Sequence, residues 1–362
     1  MQVLLLANNI SGLISFRKEV VEAILRAGHK VIISAPYDER MSELDILGAS
    51  CVVTEIDRRS TNPFTDIRLL ISYKRLIKQV KPDVVLTYTI KPNIYGGVAS
   101  RLAGVPQIAN ITGLGTAVEN PGLIQKIIIA LYKVGLKKTK KVFFQNNANR
   151  LFCISHHMVP DCTEVIPGSG VNLVKFQPLE YPPDDVIKFL YIGRLMTDKG
   201  TKELFSVARR IREQRKDVEF HIVGGCEDSF EDELKGHVAN NILVFHGRQT
   251  DVRPFIEQSH CLIHPSYHEG MSNVILESCA SARPIITTFA NGCKDAVDNG
   301  VNGLLAKVKD ADDLFLKVEE FLSLPWNKKK EMGLAARAKV EHEFDRNIVV
   351  NKYLNEIEQL KK

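Results

Sequence analysis

Short apolar runs recur along the chain, each followed by a stretch with helical spacing. In the first half they are Val3 to Ala7, Val31 to Ala35, Cys51 to Ile56, Val84 to Tyr88, Gln107 to Ile111 and Val142 to Gln145. Runs of this length, bounded by turn residues, predict buried strands. Between them lie amphipathic stretches such as FRKEVVEAILRAGH, in which Gly28 is a natural helix stop. Strict alternation of this kind predicts a parallel sheet covered by helices on both faces.

The pattern restarts after IPGSGVNLVKFQPLEYPPDD (166 to 185), a loop rich in Gly and Pro. New strands are expected at Lys188 to Ile192, Glu219 to Val223, Ile242 to Phe245, Cys261 to Pro265, Ile285 to Thr288 and Leu304 to Ala306. The fold class is therefore α/β, with two Rossmann-like domains, 1–170 and 171–344, joined near residues 168 to 184. The closing segment, FDRNIVVNKYLNEIEQLKK, reads as a helix with no strand after it. Residues 345–362 are expected to cross back and pack on the first domain. Ligands of open α/β sheets sit beyond the carboxyl ends of the strands, and two such domains facing one another would make a cleft.

Composition narrows the setting. A chain of 362 residues suits two domains. No apolar stretch reaches about 18 residues, so no transmembrane span is expected. The opening MQVLLLANN is too short an apolar run for a signal peptide. Seven cysteines, scattered and without a CxxC pair, point away from disulfides and zinc and towards a reducing cytosol. The net charge of +5 is unevenly spread. Residues 1–170 hold 21 Lys and Arg against 13 Asp and Glu, and the remainder holds 27 against 30. A basic first half implies an anionic partner. No nucleic-acid recognition motif is present, so a membrane surface or a phosphate-bearing substrate fits better.

Two loops carry candidate chemistry. In YIGRLMTDKGTKEL, Arg194 leaves the strand and Lys199 precedes a helix beginning near Gly200. Two cations beside a helix N-terminus suit a diphosphate, although a solvated loop with surface charges has the same sequence. In HEGMSNVILE, Gly270 lets the backbone approach a ligand, and the amides of Met271, Ser272 and Asn273 would face an anion. Glu269 can accept hydrogen bonds from sugar hydroxyls, and Glu277, farther along the helix, from a ribose diol. The alternative is an ordinary turn residue and an ordinary exposed helix residue. His156, His157, His264 and His268 lack metal-ligand spacing and are expected in core or surface roles. The DAD at 310–312 reads as helix capping.

GRLMTDKG, HEGMSNVILE and NGCKDAVDNGVNGLL together closely resemble the nucleotide-sugar glycosyltransferases of the retaining family 4, which have the GT-B fold. The resemblance implies that Arg194 and Lys199 hold the donor diphosphate, that Glu269 contacts the donor sugar and that Glu277 binds the ribose of a UDP-type donor. Gly12, Gly193 and Arg248 complete the candidate donor set. IDRRSTNPF (56–64), TIKPNIYGG (89–97) and NITGLGTAVEN (110–120) resemble a subgroup acting on polyprenyl-diphosphate-linked glycans. Its bacterial members add N-acetylgalactosamine or a related sugar in capsule, O-antigen and protein-glycan pathways. Arg58, Arg59, Lys91, Asn93 and Thr112 form the candidate acceptor set. The chain departs from the family at two places. No histidine stands near Thr112, and the glycine-rich loop after the first strand is reduced to NNISGL, leaving Gly12.

The resemblance implies a hexosyltransferase working with retention and without a metal or other cofactor, UDP-sugar being a co-substrate. LIQKIIIALYKVGLKKTKK (123–141), with Lys126, Lys133, Lys137 and Lys140 along one side, reads either as an interfacial helix on an anionic membrane or as a core helix with a solvated face. The first reading places the protein in the cytoplasm, peripheral on the inner face of the cell membrane. A UDP-sugar epimerase of the same architecture, or an inactive sugar-nucleotide-binding protein, remains the alternative. A dinucleotide dehydrogenase is disfavoured, because no GxGxxG follows the first strand of either domain.

Overall fold

A computed structural model of the chain describes residues 1–57, 62–115 and 122–361. It contains two compact units, Met1–Ser169 with Arg346–Lys362 and Gly170–Asp345.

In the first unit the elements run β1 (Gln2–Leu6), α1 (Ile10–Arg26), β2 (Lys30–Ala35), α2 (Met41–Ile46), β3 (Ser50–Val53), α3 (Pro63–Val80) and β4 (Val84–Tyr88). A five-residue π-helix, Pro92–Gly96, leads into α4 (Gly97–Ala103). Then come β5 (Gln107–Ile111), α5 (Leu123–Leu136), β6 (Lys141–Phe144), α6 (Asn147–Ser155) and β7 (Thr163–Val165). All seven strands are parallel, in the order β3-β2-β1-β4-β5-β6-β7. The edge strand β7 was not expected, since a half-buried TEV carries no apolar run. Helix α1 forms because Asn9 caps it, accepting from the Gly12 amide, while Ile10, Leu13, Ile14, Val20, Val21 and Ile24 bury one stripe.

The helix α13 (Arg346–Glu358) belongs to this unit, and its Val349, Val350, Tyr353 and Ile357 enter the core built on β1 and β2. The Tyr353 ring lies 4.9 Å from Phe143, and its hydroxyl accepts from Asn110 Nδ2 at 2.7 Å. Beside it runs a buried polar chain. Asn93 accepts from Thr87 and donates to the Asn110 carbonyl, and Gln107 joins Thr87 to Thr139. Every side chain in this chain makes at least one hydrogen bond, which offsets most of the cost of its burial; among the described residues only Asn110 Oδ1 in it has no partner.

The second unit contains β8 (Ile187–Ile192), α7 (Thr201–Gln214), β9 (Val218–Val223), α8 (Glu231–Ala239), β10 (Val244–Phe245), α9 (Arg253–Glu257) and β11 (Cys261–His264). It closes with α10 (Asn273–Ala280), β12 (Ile285–Thr288), β13 (Gly303–Ala306), α11 (Ala311–Ser323) and α12 (Trp326–Glu343). Its six parallel strands follow the order β10-β9-β8-β11-β12-β13. Asp310 caps α11, accepting from the Asp313 amide. The chain enters and leaves the unit side by side, since the Val171 amide donates to the Phe344 carbonyl and Val171 bridges Asp345.

Arg283, fully buried, anchors the entry segment. Its guanidinium donates to the carbonyls of Leu179, Glu180, Ile256, Glu257, Ser281 and Ala282, and burial pushes its pKa down to about 10. Arg283→Met leaves these acceptors without their donor. It should lower the stability of the second unit by about 3 kcal/mol. Urea unfolding followed by Trp326 fluorescence reads the effect, and a wild-type midpoint would contradict it.

Candidate functional site

In a doubly wound sheet the crevice forms where strand order reverses. In the second unit that point lies between β8 and β11. The loop after β8 carries Gly193, Arg194 and Lys199, and the loop after β11 carries Glu269. Two glycines, one after β8 and one after β12, let the neighbouring loops close on the loop after β11. Gly200 takes φ +69, and a Cβ there would sit 2.1 Å from the Pro265 carbonyl oxygen. Gly292 takes φ +76, and a Cβ would sit 2.4 Å from the Glu269 carbonyl oxygen. Any larger residue at either position would separate the loops.

The loops meet at an ion pair. Lys199 Nζ donates to Glu269 Oε1, with the two side chains 26% and 16% exposed. His264, the last residue of β11 and 1% exposed, places Nε2 3.0 Å from the same oxygen and 3.2 Å from Ser272 Oγ. Burial alone would raise the Glu269 pKa. The hydrogen bond from His264 and the charge of Lys199 outweigh it and hold the carboxyl at about 2. The Glu269 carboxylate is thus fixed, ionised and ready to accept.

The Glu269 and Ser272 amides donate to the carbonyls of Asn291 and Gly292. This corrects one expectation: the Ser272 amide is spent on the loop after β12 and cannot face an anion. Ser272 is the N-cap of α10, but its hydroxyl meets His264 rather than capping the helix. Among the described residues the Met271 and Asn273 amides have no such partner, and Asn273 Oδ1 and His264 Nδ1 are buried without one. Glu277 lies half-buried one turn into α10. Arg194 is 44% exposed and faces Glu227 at 3.4 Å. Arg248, exposed, lies against Gly225 in the loop after β9. His264 was expected in a core or surface role, so its contact with Glu269 was missed, and Glu227 was not singled out. A polar residue closing an otherwise apolar strand, as in CLIH, is the signal that marks His264.

The first-unit candidates are more dispersed. Gly12 is in the first turn of α1, its amide taken by Asn9. Lys91 is paired with Asp66 at 2.7 Å. It borders a groove of about 810 Å³ at the carboxyl ends of β2 and β3, lined also by Val53, Arg68, Ile71 and Arg75. Asn93, expected to meet an acceptor, is instead fully buried, with its carboxamide committed to Thr87 and Asn110. Thr112 follows β5, and its carbonyl accepts from Gln145 in the amide orientation that also lets Gln145 accept from Arg17. Arg58 and Arg59 lie outside the described residues, as does the end of NITGLGTAVEN.

The apolar-basic helix expected over 123–141 stops at Leu136, because Thr139 turns inward to Gln107 and Lys141 begins β6. Tyr132, Gly135 and Leu136 are buried, whereas Leu123, Ile124, Ile127 and Val134 are exposed beside Lys126, Lys133 and Lys137. Among the described residues no helix is long and apolar enough to cross a membrane, and no group of His, Cys, Asp and Glu is arranged to hold a metal ion.

Comparison with known proteins bears on this geometry. Residues 187–323 match the family described as "Glycosyl transferases group 1", and residues 2–146 match "Glycosyl transferase 4-like". The chain is 26% identical, over 98% of its length and 97% of the relative's, to the N,N'-diacetylbacillosaminyl-diphospho-undecaprenol alpha-1,3-N-acetylgalactosaminyltransferase of Campylobacter jejuni. It is 30% identical, over 70% of each chain, to the UDP-Gal:alpha-D-GlcNAc-diphosphoundecaprenol alpha-1,3-galactosyltransferase of Escherichia coli. Among solved structures, a glycosyltransferase from Rickettsia africae superposes with a TM-score of 0.81 at 21% identity, covering 100% of this chain and 98% of that one. An Anabaena protein in complex with UDP and glucose gives 0.81 at 17% identity, covering 99% of both.

The Glu269 environment predicts a pH dependence. Because its folded pKa is depressed, the stabilisation is complete above the usual 4.5 and is lost as pH falls towards 2. Between pH 7 and pH 3 the wild type should lose about 2 kcal/mol that the Glu269→Gln variant keeps. Parallel denaturant titrations at the two pH values would show it, and identical losses would contradict it.

Proposed function

Because the chain belongs to the group 1 glycosyltransferases and has their GT-B fold, we propose that it moves a sugar from UDP to a polyprenyl-diphosphate-linked saccharide with retention at the anomeric carbon. N-acetylgalactosamine is the favoured sugar. The observation that carries this reading is the ionised Glu269 carboxylate held between Lys199 and His264 at the head of α10. It is an acceptor-only group poised for sugar hydroxyls, with a cation and free amides beside it for phosphate.

The chemistry follows from these parts. The bond between the anomeric carbon and the diphosphate oxygen breaks, leaving positive character on the sugar and negative charge on UDP. Lys199 has three N–H donors, so it can keep Glu269 while reaching a phosphate oxygen. Arg194 leaves an exposed pair with Glu227 at little cost and adds a second cation. The Met271 and Asn273 amides complete the diphosphate cradle. The acceptor hydroxyl attacks from the face the leaving group departs, and its proton passes to the departing phosphate. Glu277 receives the ribose hydroxyls. The charge on the leaving group is balanced by side chains and amides, so the scheme uses no metal.

The names of the Campylobacter and Escherichia relatives support an acceptor carried on undecaprenyl diphosphate. The basic first unit suits such an acceptor, with Lys91 and the groove beside it as the candidate region. The exposed apolar-basic side of α5 would set the protein on an anionic leaflet, peripheral on the cytoplasmic face.

UDP release from a panel of UDP-sugars, with and without a short polyprenyl-diphosphate-linked monosaccharide, tests the reading. Acceptor-dependent release is expected; acceptor-independent conversion of the UDP-sugar would replace it with an epimerase. Lys199→Ala should slow turnover by about 10²–10³. Glu277→Ala should weaken UDP binding about tenfold, and Glu269→Ala should act mainly on kcat. Reversing Lys126, Lys133 and Lys137 to Glu should weaken binding to phosphatidylglycerol vesicles by roughly 100-fold or more. Equal binding to neutral and anionic vesicles would remove the membrane role of α5.

A further inference from the structure

In the first unit strand order reverses between β1 and β4, so its crevice lies at the carboxyl ends of those two strands. The residue that leaves β4 there is Thr89, and its backbone has φ +73. Among the described residues six non-glycines have positive φ. Four of them, Lys81, His157, Asn241 and Ala282, lie in turns that end helices, where a left-handed residue is ordinary. Thr89 is the β-branched one, and it stands between a strand and the start of a helix. A glycine would take this conformation without strain, whereas threonine takes it at a cost.

Local structure does not explain the choice. Thr89 precedes a helical turn, where a threonine hydroxyl would ordinarily cap the helix. Among the described residues only its carbonyl is used, accepting from the Asn93 amide at 3.0 Å, and Oγ1 is buried with no partner. The strained turn is held from both sides. Asn93 is locked to Thr87 and Asn110. Lys91 and Tyr95 both bind Asp66, each at 2.7 Å. The π-helix Pro92–Gly96 follows at once, a local widening that recurs at functional sites.

We infer that Thr89 is a saccharide-binding residue at the first unit's crevice, its hydroxyl hydrogen-bonding a sugar hydroxyl of the acceptor. The inference rests on the transferase reading above. Thr89 is half-buried, so its hydroxyl lies at the border of the crevice, where a sugar hydroxyl would supply its hydrogen-bond partner after a rotation about χ1.

Thr89→Val keeps the branch and removes the hydroxyl, Thr89→Ser keeps the hydroxyl, and Thr89→Gly removes both hydroxyl and strain. With a polyprenyl-diphosphate-linked monosaccharide as acceptor, Thr89→Val should raise its KM about tenfold, the loss of one hydrogen bond to a buried group. The KM for the UDP-sugar should stay unchanged, and Thr89→Ser should restore the acceptor KM. Thr89→Gly should show the same acceptor defect with a melting midpoint above wild type, which separates a binding role from a folding role. Wild-type acceptor KM in both Thr89→Val and Thr89→Gly overturns the inference while leaving the transferase intact. A defect confined to the donor KM overturns the acceptor assignment. Failure of the wild-type protein to transfer to any lipid-linked saccharide overturns the transferase reading and this inference with it.

Discussion

A parallel strand cannot be followed by a hairpin; the chain must cross back over a face of the sheet before the next strand begins. With thirteen parallel strands in two sheets among the described residues, this constraint puts the loops that follow them at one edge of each sheet. Where the winding reverses, neighbouring loops turn to opposite faces and leave room between them. In the second unit Lys199 of one such loop meets the Glu269 carboxylate of the other. The charged residues are therefore consequences of the winding as much as of their own chemistry.

Concentrating polar groups at that edge is costly, and the protein meets the cost differently in different places. Arg283, far from the crevice, is surrounded by carbonyl oxygens that take up its donors. Glu269 is compensated by His264 and Lys199, so its burial leaves an ion rather than a neutral acid. His264 Nδ1, Asn273 Oδ1 and Thr89 Oγ1 are left without partners in the described structure, all at carboxyl edges of the sheets.

Much of this was legible in the residues. The alternation of apolar runs and helical spacing marks twelve of the strands, because buried parallel strands are nearly all apolar. Thr163–Val165 was invisible because an edge strand held on one side needs no apolar signature. The loops bearing Lys199 and Glu269 could be found because glycine and charge stand next to each other there. The spending of the Ser272 amide on Gly292 could not, since that partner lies twenty residues away and is fixed by tertiary packing. Asn93 misled for a related reason: sequence places it beside Lys91 in a loop, but the π-helix turns its side chain inward. The strain at Thr89 has no sequence signature, since TYTIKP reads as an ordinary strand exit.

The first unit is built from both ends of the chain, with the whole of the second unit inserted between them. Tyr353 closes the core over Phe143 and Tyr88, and it is synthesised after every residue of the second unit. Domains tend to fold as units as they leave the ribosome. The second unit, which is continuous, can therefore finish while the first is still open and lacks its last helix. Birth order and completion order are reversed: the unit whose synthesis begins first is the last to be completed.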